Sequence, residues 1–226
     1  MRFDIISAVP DLLQGLLGYS IPKRAVDKGL AEIHIHNLHA FGIGKYRQID
    51  DYPFGGGAGM VLMAEPLSAI IEQLINERTY QHIIYLTPDG TRLNQSLSNR
   101  LSLDGNMILI CGHYKGIDQR IRDLYVNMEI SLGDFVLSGG EIAAAAVVDS
   151  VVRLLPGVLG DEESALSDSF QDGLLAPPLY TRPSEFKGLK VPDVLTSGDH
   201  PKVAAWRHEQ SVIRTQQLRP DLLDES

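Results

Sequence analysis

The feature that most constrains the fold is an alternation. Five short β-rich runs, "RFDIISAV", "AEIHIHNL", "HIIYLTPDG", "NMILICG" and "VNMEISLGD", carry apolar side chains at strand-like density. Apolar residues at helical spacing return in "AEPLSAIIEQLINER", "NQSLSNRLSL" and "GIDQRIRDLY" between the later runs, and in an alanine-rich segment over 139–155 after the last. Strands of four to eight residues separated by helices build parallel pairs, because a parallel pair needs a long crossover. Continuously apolar runs such as "MILIC" fit a sheet covered on both faces. The expectation is therefore an α/β domain with a mainly parallel sheet over residues 1–160.

Beyond "LLPGVLG" the alternation stops. "DEESALSDSFQDGLL", residues 161–175, carries five acidic and no basic side chains and reads as an acidic linker or lid. "LLAPPLYTRPSEFKGLKVP" is proline-rich and extended, and "SGDHPKVAAWRHEQSVIRTQQL" reads as a capped helix carrying Trp206. Residues 176–226 are thus expected to form a small, mostly helical second domain.

The formal charge of −9 by itself argues against an anionic partner. It is unevenly spread, however. The acidic stretch alone contributes −5, and residues 182–219 hold seven basic against four acidic side chains, so a locally basic face remains available. The single cysteine, Cys111, excludes an intrachain disulfide and a cysteine-clustered zinc site. No run of about 18 apolar residues spans a membrane, and "MRFDIISAVP" lacks a signal-peptide pattern, so a cytoplasmic protein without membrane contact is expected. Seven histidines show no metal-ligand spacing, His34 and His36 share a strand face as surface or interface residues, and no G-x-S-x-G elbow occurs.

Three glycine-containing turns follow successive strands: "LTPDG" (86–90), "CGHYKG" (111–116) and "SLGDFVLSGG" (131–140). In open parallel sheets ligands bind at the carboxyl ends of strands, so the three turns are expected to converge on one pocket. In "SGGE", Ser138 and Glu141 fit a capping box, with Glu141 reaching back to the Ser138 backbone. The two glycines between them are unexplained by capping and point to a ligand lying against the backbone. Asp134 on the same turn tells against phosphate and for a neutral or cationic ligand. "PFGGGAGM" (53–60) contains G-x-G-x-G but follows a charged segment rather than a strand, which makes it weak as a dinucleotide fingerprint and acceptable as a loop that a bulky group lies against. Asp168 in the linker reads on its own as a solvated carboxylate, and Arg153 as a cation offsetting a helix C-terminus.

Read in order, "DDYPFGGGAGM", "YLTPDG", "CGHYKGID", "SLGDFVLSGGE", "RLLPGVLG", "DSF", "LYTRP" and "VLTSGDHPKVAAWR" closely resemble the bacterial tRNA (guanine-N1-)-methyltransferases of the TrmD family, in the SPOUT class. The resemblance implies a deep trefoil knot, S-adenosylmethionine as methyl donor, tRNA as substrate and a homodimer with its active site at the subunit interface. It implies methyl transfer to N1 of the guanosine immediately 3′ of the anticodon, which prevents frameshifting. By motif, it assigns donor binding to Tyr85, Leu86, Thr87, Pro88, Gly112 and Tyr114, and to Ser131, Leu132, Gly133, Asp134, Phe135, Val136, Leu137, Gly139 and Gly140. It gives Asp168 the role of general base, Arg153 the contact to guanine O6, and Gly57, Gly59 and Ser169 a place against the substrate, with the glycine loop coming from the partner chain. Magnesium is a possible second cofactor in the family, but Lys115 stands where many members carry a glutamate, and His113 where they carry an arginine. The reversed charge counts against a metal role there, and leaves Asp134 to supply local negative charge. Two other readings stay open at this point: a SPOUT RNA methyltransferase with a different target, and a non-catalytic RNA-binding module.

Overall fold

A computed structural model describes residues 1–160 and 168–224. The chain divides into two compact units, residues 1–161 and 162–226. The expected acidic linker over 161–175 falls in part on 161–167, which lie outside the described residues.

The first unit is built on a five-stranded, all-parallel sheet of order β2-β1-β6-β5-β7. Its strands are β1 (Arg2–Ser7), β2 (Glu32–Asn37), β5 (His82–Arg92), β6 (Met107–Cys111) and β7 (Met128–Ser131); β3 (Asp50–Asp51) and β4 (Val61–Leu62) form a separate antiparallel pair. Alternation along the strands supplies two cores. Phe3, Ile5, Ile84, Leu86, Met107, Leu109, Cys111 and Ile130 point to one face. Ile6, Tyr85, Ile108 and Ile110 point to the other. The first face is covered by α1 (Asp11–Leu17), α2 (Ser20–Asp27), α4 (Gln95–Leu103) and α6 (Glu141–Val152), the second by α3 (Ala64–Glu77) and α5 (Gln119–Tyr125). Coverage on both sides is why β6 can be apolar at every position. Local signals start two of these helices: the Asn94 side chain accepts from Leu97 N at 2.8 Å, and Asp118 from Arg120 N at 2.9 Å.

Three sequence expectations change. Helices α1 and α2 are additional; Gly15 and Pro22 had hidden them. "LTPDG" does not end its strand: pairing with β7 breaks after Leu86 and resumes at Thr91–Ile130 and Arg92–Ser131, so the segment is a bulge inside β5. His36 is no plain surface residue, since its Nε2 lies 2.7 Å from Asp4 Oδ1. Asp4, fully buried, also accepts from Arg2 at 2.7 and 2.8 Å and from the Tyr80 hydroxyl at 2.8 Å. Burial pushes its pKa up, but the hydrogen bonds from His36, Arg2 and Tyr80 outweigh that and hold the carboxyl well below the usual carboxylate range.

The second unit holds a two-stranded pair, β8 (Glu185–Phe186) and β9 (Leu189–Lys190), and helices α7 (Asp193–Thr196), α8 (His200–Leu218) and α9 (Asp221–Asp224). Asp199 caps α8, accepting from Lys202 N at 3.2 Å, with Pro201 in the first turn. Thr215, buried on α8, accepts from Leu175 N at 2.9 Å, and Tyr180 packs against Trp206 with ring centroids 6.4 Å apart. Among the described residues no helix is long and apolar enough to cross a membrane.

Candidate functional site

Register fixes the site. Leu86 pairs with Cys111 on one side and with Ile130 on the other, so Thr87 at the β5 bulge, Gly112 after β6 and Ser131 at the end of β7 follow side by side at the same edge of three neighbouring parallel strands. The turns they begin enclose a cavity of about 290 Å³, near the lower end of the range for small-molecule sites. Its wall comprises Tyr85, Leu86, Thr87 and Pro88 from the first turn, residues 112–116 from the second, and Ser131, Leu132, Gly133 and residues 135–140 from the third. Ile130 and Ala143 complete the apolar floor.

The second and third turns are stitched together. Gly140 N donates to Gly112 O at 2.8 Å, and His113 bridges Gly139 in antiparallel fashion. A Cβ on Gly140 would lie 2.7 Å from Cys111 Cα and 2.9 Å from Gly112 N. A Cβ on Gly139 would meet the Glu141 carboxylate and the His113 ring. Both glycines line the cavity; at Gly140 the close approach is backbone packed on backbone, whereas at Gly139 it is to the Glu141 and His113 side chains. The capping box is also overturned. Gly140 is the N-cap of α6 without a side-chain cap bond, and the Glu141 carboxylate is buried, accepting from the Ser7 hydroxyl at 2.7 Å. Ser138 lines the cavity instead.

Asp134 is the one residue of 131–137 outside the lining. Its exposed carboxylate accepts from Arg92 Nη2 at 2.6 Å, so its charge is matched by a neighbour and supplies no argument about the ligand's charge. Tyr85 is buried, which raises its phenol pKa and keeps it neutral, and its hydroxyl sits against Gly112 and Gly116. Tyr114, half exposed at φ 56°, is likewise raised by burial and by Asp50. His113, Lys115 and Gly116 join the wall without having been assigned to it, although the "CGHYKG" turn already pointed there. Ile130 and Ala143 were legible only as strand and helix residues.

The glycine loop over 53–60 is tied to the second turn from behind, because Lys115 N donates to Met60 O at 3.0 Å. Gly59, at φ 98°, packs on the Lys115 side chain, where a Cβ would lie 2.8 Å from Cγ; Gly57 has open space around it. Neither glycine belongs to the cavity wall. Arg153 is the C-cap of α6 in the first unit. Asp168 and Ser169 belong to the second, where the Ser169 hydroxyl accepts from Ala176 N at 2.9 Å. Among the described residues the cavity wall contains no aspartate or glutamate.

Comparison with known proteins follows the same lines. The family model described as tRNA (Guanine-1)-methyltransferase TrmD matches residues 1–225. A tRNA (guanine-N(1)-)-methyltransferase of Christiangramia forsetii is 60% identical over 225 residues, covering 100% of both chains. Proteins of the same name are 56% identical in Bacteroides fragilis, again over 100% of both chains, and 58% identical in Chlorobaculum tepidum, over 99% of this chain and 97% of the relative.

Proposed function

The chain belongs to the TrmD family of tRNA (guanine-1)-methyltransferases, and on that premise we propose that its three-turn cavity holds S-adenosylmethionine. The enzyme transfers the donor's methyl group to N1 of the guanosine immediately 3′ of the anticodon in tRNA. The observation that carries this reading is the convergence of the β5 bulge and the turns after β6 and β7 on one cavity with a glycine-rich backbone wall. An apolar floor from Leu86, Ile130 and Ala143 suits a purine ring, while backbone amides and carbonyls of the turns suit its polar edges. The donor, when bound, supplies an electrophilic methyl on sulfonium sulfur.

The remaining chemistry belongs to side chains. Guanine N1 carries a proton and must lose it as the methyl arrives, which calls for a positioned base worth roughly 100- to 10,000-fold. By the family motif, Asp168 of the second unit takes that role. Charge then develops on O6, where the fixed donor fork of Arg153 stabilises it. Ser169, Gly57 and Gly59 lie against the guanine. The small unit grips the tRNA with the basic side chains of 182–219, while residues 1–160 form the donor domain, threaded as a trefoil knot. The working form is a cytoplasmic homodimer with the glycine loop of one chain facing the site of the other. Exposed Tyr52 and Phe54 on that loop support an interface there.

The test is Asp168→Ala assayed for methyl transfer and for donor binding by calorimetry. Transfer falls at least 100-fold with donor affinity within twofold of the parent. Parent-like turnover by the variant would remove Asp168 from the mechanism.

A further inference from the structure

Arg122 lies on α5, outside the cavity wall, yet it is bound on three sides. Its guanidinium donates to Glu129 at the base of β7 through Nε at 2.8 Å and Nη2 at 2.7 Å. Nη2 also donates to Asp89 in the β5 bulge at 2.8 Å. Its planar group lies 5.2 Å over the centroid of the Tyr85 ring. Asp89 in turn accepts from the Thr87 hydroxyl. The contacts with Asp89 and Tyr85 end on, or one residue from, the segment Tyr85–Pro88 that walls the cavity, and Glu129 is the β7 partner of Tyr85.

A bulge interrupts the ladder that would otherwise fix a strand, so the shape of 87–90 has to be set by side chains. Charge-assisted hydrogen bonds in a fork geometry are the strong means of doing so, and the stacked cation orients the tyrosine. The charges respond accordingly: the Arg122 guanidinium is held further up by Glu129 and Asp89, and Asp89 is held below the usual carboxylate range by Thr87 and Arg122.

We infer that Arg122 is a positioning residue for the methyl donor: clamped between Glu129 and Asp89 and stacked on Tyr85, it fixes the wall Tyr85–Pro88 in the shape the donor meets. The inference rests on the reading of the cavity as the donor site. Without the clamp the bulge samples several shapes, and binding must select one, which lowers affinity. Once donor saturates the site the wall is ordered again, and neither Asp168 nor Arg153 has changed, so turnover recovers.

The experiment compares Arg122→Ala, Arg122→Lys and Asp89→Asn with the parent and with Arg120→Ala, which breaks a surface pair with Asp118 on the same helix. S-adenosylmethionine affinity is measured by calorimetry, and kcat and KM for donor and tRNA by methyl transfer. Arg122→Ala raises the donor Kd and KM roughly tenfold, with kcat at saturation and KM for tRNA within twofold. Lysine restores affinity only in part, because it keeps the charge and loses the fork. Asp89→Asn, altered at an exposed carboxylate, raises the donor KM severalfold and keeps the test open if Arg122→Ala does not fold. Arg120→Ala leaves all constants unchanged. A structural role alone would lower the active fraction, and hence apparent kcat, while leaving the donor KM where it was; that pattern overturns the inference. Failure of the parent to bind donor overturns the cavity reading and this inference with it, whereas parent binding with an unchanged donor KM in Arg122→Ala and Asp89→Asn overturns the inference alone.

Discussion

Replacing Gly140 with alanine should be far more damaging than a glycine at a helix start ordinarily implies. Its φ of −80° is open to any residue, so backbone strain is not the issue. The added Cβ would sit 2.7 Å from Cys111 Cα, 2.9 Å from Gly112 N and 3.2 Å from Cys111 C. All three are backbone atoms of the β6 exit, none of which can rotate away. Forcing extra volume into such a contact costs roughly 1–3 kcal/mol, and separating the turns weakens the Gly140–Gly112 hydrogen bond, worth about 0.5–1.5 kcal/mol. Alanine gains nothing in return, because as an N-cap it is poorer than glycine. The expected loss is about 2–4 kcal/mol, or roughly 5–15 °C in Tm for a unit of this size. Scanning calorimetry gives the stability, and calorimetric titration with S-adenosylmethionine should show donor affinity reduced at least tenfold, since the same turns wall the cavity. A variant with unchanged or raised Tm would refute the backbone-contact argument.

Gly15, exposed within α1 with open space around its Cα, is the opposite case. Gly15→Ala should raise stability by about 0.4–1 kcal/mol in a denaturant titration, through the unfolded chain. Asp4, with a folded pKa below its unfolded value, supplies stability that is complete above about pH 4 and is lost as pH falls further. Asp4→Ala should therefore cost about 3–5 kcal/mol at neutral pH, because it strands Arg2 beside an emptied site, and should show a flatter stability profile below pH 4 in acid titration.

The sheet and the edge that carries the cavity were legible because their signals are local. The runs "MILIC" and "HIIYL" alternate between two cores, "MEIS" packs Met128 and Ile130 into one of them, and a glycine-bearing segment follows each. What escaped the sequence is set by partners distant along the chain. Glu141 has the spacing of a capping residue but finds Ser7, 134 positions away, and no local rule anticipates that bond. Asp134 looked like a charge aimed at a ligand until the fold brought Arg92 to it from the resumed half of β5. The bulge itself depends on where β7 pairs, at Leu86 and again at Thr91, which cannot be read from "LTPDG". Gly139 and Gly140 were recognised as positions of close approach; the chain's own β6 exit approaches Gly140, and the Glu141 and His113 side chains approach Gly139. Likewise nothing local marks Arg122 within "GIDQRIRDLY"; only the meeting of α5, β7 and the bulge gives it three partners.

The most direct test is methyl transfer from labelled S-adenosylmethionine to unmodified tRNA bearing guanosine 3′ of its anticodon, with and without magnesium, followed by nucleoside analysis of the product. The expected product is 1-methylguanosine at that position, formed by the parent chain and lost in Asp168→Ala. A 2′-O-methylated nucleoside, methylation at another base, or no transfer to this tRNA would contradict it.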